Sequence, residues 1–141
     1  MSANKNIAYN HVPAYGAAGS ATGTVTGPAI DTTNYTEATI ILAIGTIAGS
    51  GTLDVKVQDS PDGSTDWQDV LDPDSVSIKF PQKLAANNNT AAIGMLKLDG
   101  NTVRKWFRIV SVVAVAAADH GVSVLLTNSQ YKPDQTPTFV V

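Results

Sequence analysis

Leu53, Val55 and Val57 alternate with Asp54, Lys56 and Gln58, the period of two that gives a strand one buried and one wet face. Pro61, Asp62 and Gly63 then supply the residues a tight reversal needs: a preset φ, a side chain that accepts from its own backbone, and freedom at positive φ. The returning chain, with Trp67 and Val70, is expected to pack Trp67 in the core. The same reading applies elsewhere. A short strand is predicted near Gly23 to Ile30, and another over Thr36 to Ile47, where apolar residues fall on both parities but β-branched ones dominate. Asp72-Pro73-Asp74 turns the chain into Val76, Ile78 and Phe80, a further half-buried strand. Ile93 to Leu98 follows a polar Asn87–Thr90 loop, and the longest strand begins at Val103.

On that last strand Val103, Phe107 and Ile109 share one face, and Arg104, Trp106 and Arg108 the other. Beyond Ile109 both faces turn apolar, with Val113 and Val115 on one and Val110, Val112, Ala114 and Ala116 on the second, which therefore wants a cover. Ala118-Asp119-His120-Gly121 reads as a turn, and Val122, Val124 and Leu126 as the returning hairpin partner. No stretch carries a helical apolar stripe with caps. The pattern predicts an all-β protein, an antiparallel β-sandwich or jelly roll of seven to eight strands with extended N- and C-terminal arms. The divisions are an N-terminal arm over 1–22, a β-sandwich domain over 23–128 and a C-terminal arm over 129–141.

Composition narrows the functions. At 141 residues one domain is expected, and charged residues make up only 15%, so that a surface this poorly charged invites a covering partner. A net charge of −3 argues against binding nucleic acid, which needs clustered Lys and Arg. The longest apolar stretch, Ile109 to Ala118, is ten residues and too short for a transmembrane helix, so no membrane span is expected. The first twenty residues have no continuous apolar run of a secretory signal, which predicts synthesis in a cytoplasm. Absence of cysteine excludes disulfides and thiolate zinc sites.

Candidate chemistry is sparse. The histidines are His11 and His120, neither spaced to a nucleophile, and His120 reads as a solvated turn residue. Seven of the twelve acidic residues lie between Asp54 and Asp74, but the alternating Asp pattern and glycine of a calcium loop are missing, and several of them sit where turns want them. No catalytic residue, cofactor or metal is expected. Partner contacts are assigned instead to Arg104, Trp106 and Arg108, since a flat ring flanked by guanidinium groups suits an interface, and to Val110 and Val112 on the second apolar face. The arms add Tyr9, Tyr15, Phe139, Val140 and Val141, apolar groups in segments without a period of their own.

The stretches LDVKVQDSPDGSTDW and RKWFRIVSVVAVA with its GVSVLL return, in a cysteine-free chain rich in Ala, Gly and Thr, resemble the head decoration (cement) proteins of tailed bacteriophages. That resemblance implies a non-enzymatic virion component on the outer surface of the head, binding major capsid protein subunits across their joints as a homo-oligomer, most often a trimer. It transfers no functional residue, because decoration proteins share no binding motif. Ser60, Asp62, Gly63 and Trp67 also fit the S-x-D-G…W hairpin of carbohydrate-binding sandwiches, so a carbohydrate-binding module is the alternative, with another head or tail component as a third.

Overall fold

The computed structural model describes residues 21–100 and 102–127 with their side chains, and the strand at Asn10–Ala17 by its backbone. Among the described residues nine strands follow in order: β1 (Asn10–Ala17), β2 (Gly23–Thr26), β3 (Ile30–Asp31), β4 (Glu37–Ile47), β5 (Thr52–Ser60), β6 (Gln68–Asp69), β7 (Thr90–Lys97), β8 (Trp106–Ala114) and β9 (Ala118–Thr127). The only helical element among the described residues is one 3-10 turn at Ala85–Asn87. All pairings are antiparallel, in a four-stranded sheet ordered β1-β9-β4-β7 and a five-stranded sheet ordered β2-β8-β5-β6, with β3 also on β8.

This connectivity is that of a jelly roll. β2 and β3 pair with the same strand in registers one residue apart, Thr26 with Val110 and Ile30 with Phe107, so they are one strand broken at Gly27–Ala29. Counted that way, first pairs with last (β1·β9), second with second-last (β2/β3·β8), third with third-last (β4·β7), and the two central strands with each other (β5·β6). An antiparallel ribbon folded in this manner wraps into two facing sheets.

The core is one cluster drawn from both sheets. Ala38, Ile40, Leu42 and Ile44 of β4 and Val122, Val124 and Leu126 of β9 face Leu53, Val55 and Val57 of β5 and Phe107, Ile109 and Val113 of β8, all buried. Alternation decides this, as β4 and β5 bury every second residue. The apolar residues on both parities of β4 resolve into an inner row and an outer row, with Ile41 half-buried and Ala43 exposed.

Several expectations need correction. Within the segment taken as an arm, Asn10–Ala17 is an edge strand along β9. Its composition hid it: Pro13 is tolerated at an edge, and the register slips between Pro13 and Tyr15, erasing any period of two. The C-terminal segment lies outside the described residues. The chain reverses after β8 at Val115–Ala117, three residues earlier than expected, with Val115 at φ 69° and 70% exposed rather than on the face of Val113. The return, β9, is not the hairpin partner of β8 but crosses to the other sheet, between β1 and β4. His120 is consequently a buried strand residue; its Nδ1–H donates to the Ala118 carbonyl (3.1 Å) and its Nε2 is hydrogen-bonded to the Ser111 hydroxyl (2.7 Å), tying the two sheets together. Val76 to Phe80 is not a regular strand. It runs along the free side of β5 through bonds from Val57 to Ile78 and from Phe80 to Val55, with Ile78 and Phe80 turned to the core and Val76 55% exposed.

Candidate functional site

Strand β8 places four of the assigned partner residues on one surface, the outer face of the five-stranded sheet. Trp106, Arg108, Val110 and Val112 alternate with the buried Phe107, Ile109, Ser111 and Val113, and register opposite Ser60, Gln58, Lys56 and Asp54 of β5. On the other flank Thr26 lies beside Val110 and Thr24 beside Val112. Val110, set between Thr26 and Lys56, is only 4% exposed, so the face that sequence reading left bare is largely covered at that position by the chain itself. Val112 stays half-exposed and floors an open groove of about 330 Å³ walled by Asp54, Lys56, Asp69, Ser77 and Lys79.

Trp67 joins this face and not the core. It is half-buried, with the Arg108 guanidinium stacked 4.1 Å from its ring centre, while Arg108 also donates from Nε and Nη2 to Gln58 Oε1 at 3.1 and 2.8 Å. The signal was present in the spacing: Asp69 reaches outward to Lys56 at 2.8 Å, and Trp67, two residues earlier, shares its parity, whereas Val70 is the residue that enters the core. Trp67→Ala should therefore cost about 1–2 kcal/mol, the sum of a cation–π contact and half a ring's burial, and not the roughly 3–5 kcal/mol of a fully enclosed aromatic. Urea denaturation at neutral pH measures it.

Arg104 serves a different purpose from the one assigned. It precedes β8, and its side chain holds the end of β5 to the β5–β6 loop: Nε donates to Asp59 Oδ1 (2.8 Å), Nη1 to Asp66 Oδ2 (2.7 Å), and Nη2 to the carbonyls of Asp59 and Asp66 (2.8 Å each). Few of its donors remain for a partner. The β5–β6 loop it grips is built on Ser60 and Asp62. Ser60 Oγ donates to the Thr65 carbonyl (2.5 Å) and accepts from Gly63 N (3.0 Å), while Asp62 Oδ1 accepts from the amides of Ser64 and Thr65. Asp62 and Asp72 therefore act as turn formers while Asp59 and Asp69 hold cationic side chains, and among the described residues no cluster of three or more His, Asp or Glu side chains could hold a metal ion.

These contacts also set the acid sensitivity. The Thr65 hydroxyl and amide hold the Asp62 carboxyl far below the usual range, and Arg104 and Gln68 lower that of Asp66. At Asp69 burial pushes upward, but hydrogen bonds from Lys56 and Gln58 more than offset it. Folded values below the unfolded ones mean stability that is present above about pH 4 and lost as pH falls through the folded values. The melting temperature should hold from pH 7 to 5 and drop by pH 3.

Of the remaining assigned residues, Tyr15 registers opposite Val122 in the β1·β9 pair, and Tyr9, Phe139, Val140 and Val141 lie outside the described residues. No helix among the described residues is long and apolar enough to cross a membrane.

No protein-family model and no curated protein matches the sequence. Solved structures do match in fold. The SPBc2 prophage-derived protein YomS aligns with a TM-score of 0.53 at 10% identity, over 86% of this chain and 95% of its own. The PBSX exported protein XepA aligns at 0.55 and 10%, over 94% of this chain but 43% of its own. The infectious bursal disease virus VP2 subviral particle aligns at 0.54 and 14%, over 89% of this chain and 33% of that one. At such identities the likeness is one of fold: a jelly-roll sandwich shared with a prophage-derived protein, a PBSX exported protein and a viral particle subunit.

Proposed function

We propose that this protein is a non-enzymatic structural component of a phage virion that binds and stabilises the capsid lattice from the outer surface of the head, as a decoration or cement protein. The observation that carries the reading is the jelly-roll connectivity of the described residues, with which neighbours from a prophage and a viral particle also align. Contacts with major capsid protein are assigned to the outer face around Trp106, Arg108 and Val112 and to the terminal segments with Tyr9, Tyr15, Phe139, Val140 and Val141. Repetition over a lattice raises the avidity of such modest contacts. Homotrimers at local threefold positions are part of the proposal.

Adding the protein to undecorated, expanded capsids and imaging them tests this: ordered density at defined lattice positions is expected, and bare capsids at saturating protein would reject it. Val112→Lys should fold, because Val112 is half-exposed, yet occupy capsids less well and weaken self-association. A variant that decorates and assembles as before places the contact elsewhere. A carbohydrate-binding module remains the second reading, favoured by the position of Trp67 and Trp106 on the outer surface; binding on a glycan array would support it.

A further inference from the structure

The four-stranded sheet ends on β7, and among the described residues nothing pairs with the side of β7 that faces away from β4. This edge lacks the usual protection, having no proline and a single charge, Lys97, at its end. The bond from Leu98 N to the Thr36 carbonyl (2.9 Å) flanks the Glu37–Lys97 pair, which marks that pair as one of the non-hydrogen-bonded kind. Alternation then turns the N–H and C=O groups of Ala91, Ile93, Met95 and Lys97 away from β4. The side chains of the same residues stand on the outer face of the sheet, where Ile93 and Met95 are 69% and 71% exposed. Between them Gly94 faces inward, and a Cβ there would stand 3.2 Å from Phe80 Cζ.

We propose that this edge binds a second copy of the chain, β7 against β7, antiparallel about a two-fold axis through Gly94. The strand is self-complementary in that register. Its free backbone groups fall symmetrically about Gly94, so Ile93 pairs with Met95 of the second copy and Ala91 with Lys97, each pair exchanging both hydrogen bonds, and every free group of the strand is used. An axis at Ile93 would leave Lys97 unpaired, and one at Met95 would leave Ala91 so. A slip by one residue would set the outer face of one copy against the inner face of the other. The side chains agree. Ile93 and Met95 of one copy meet Met95 and Ile93 of the other as two apolar cross-strand pairs, taking out of water two of the most exposed large apolar groups. Lys97 falls opposite Ala91 and about 20 Å from its own counterpart, so the one charge on the strand meets no like charge. On the inner side Gly94 meets Gly94 at the close, non-hydrogen-bonded spacing, where side chains would crowd the Phe80 rings. The added strand also roofs the apolar cleft of about 70 Å³ that Ile78, Phe80, Gly94 and Leu96 border. The contact belongs to the sheet opposite the one carrying Val112, so it adds a two-fold association to the one assigned to that face and does not rest on it.

Sedimentation velocity and residue-resolved amide exchange on the full chain, each at low and high protein concentration, test it beside three variants: Ile93→Glu, Met95→Lys and the two combined. In the parent the sedimenting mass should rise with concentration, and the amides of Ala91, Ile93, Met95 and Lys97 should slow at least about tenfold while those of β4 and β9 stay unchanged. Each single substitution sets a charge opposite an apolar side chain and should weaken the association at least about tenfold. The combination sets the new carboxylate of each copy opposite the new ammonium of the other and should restore it. A combined variant that stays as weak as the single ones overturns the proposal, since an axis at Ile93 would instead bring the two carboxylates together. Single variants that associate as the parent does also overturn it. So do β7 amides in the parent that ignore concentration, whether they exchange freely throughout or are already protected within one chain. A rise in mass that leaves these amides unchanged belongs to the Val112 face, so either association can fail without the other.

Discussion

Replacing Arg104 with alanine is expected to destabilise the domain by about 2–4 kcal/mol, because it strands the Asp59 carboxylate in a site that excludes water. Asp59 is 7% exposed at the end of β5, on the parity that points inward, and Arg104 meets it with Nε at 2.8 Å. The loss falls short of a fully buried pair for two reasons. The Arg104 side chain keeps 31% of its surface, and its backbone N–H, which the substitution leaves in place, still donates to Asp59 Oδ2 at 2.9 Å. Much of the effect is the stranded charge and not the lost attraction, so Asp59→Asn in the Arg104→Ala background should recover part of the stability instead of adding a second loss. Urea midpoints for the two single variants and the double variant decide it. A drop below about 0.5 kcal/mol for Arg104→Ala would reduce the pair to an ordinary surface bridge and return Arg104 to the pool of partner contacts.

The strands that a reader can find in this sequence are those whose inner and outer rows differ in polarity. Leu53, Val55 and Val57 against Asp54, Lys56 and Gln58 are found in the structure as written, buried on one side and half-exposed on the other. β4 was legible from β-branched content alone. What escaped was nonlocal or carried misleading local chemistry. The jelly roll joins its first strand to its last, and no residue in β1 announces that its partner lies more than a hundred positions away. Asp119-His120-Gly121 has turn composition but sits within β9, while the real reversal uses Val115, a β-branched residue in the left-handed region that sequence rules assign to glycine or asparagine.

Much of the candidate face was legible because period two alone sorts Trp106, Arg108, Val110 and Val112 onto one side of β8. Its chemistry was less so. The Arg104–Asp59 contact spans 45 positions and the Arg108–Gln58 contact 50, separations at which spacing carries no information. Sequence alone therefore could not tell that Arg104 staples loops together whereas Arg108 lies over a tryptophan. Trp67 was misplaced by the general tendency of large rings to be buried, although its parity with Asp69 pointed outward.

Gly63→Val should destabilise by about 2–5 kcal/mol, combining the strain of a β-branched residue at positive φ with an overlap that cannot relax cheaply. Gly63 lies at φ 78°, and a Cβ built on it would stand 2.7 Å from Cδ2 and 3.0 Å from Cγ of Trp106. The ring has little room to yield. Its backbone is paired with Ser60 on one side and Asp31 on the other, and Lys105 Nζ lies 5.9 Å from the ring centre. The loop is no freer, since Gly63 N donates to Ser60 Oγ and the Asp62 carboxylate grips the next two amides. The two causes separate experimentally. Gly63→Ala retains the overlap with less backbone strain than valine, and Trp106→Leu in that background removes the ring the new Cβ would strike. If overlap dominates, the double variant should regain about 1–2 kcal/mol relative to additivity; strict additivity would leave the left-handed backbone as the whole cause.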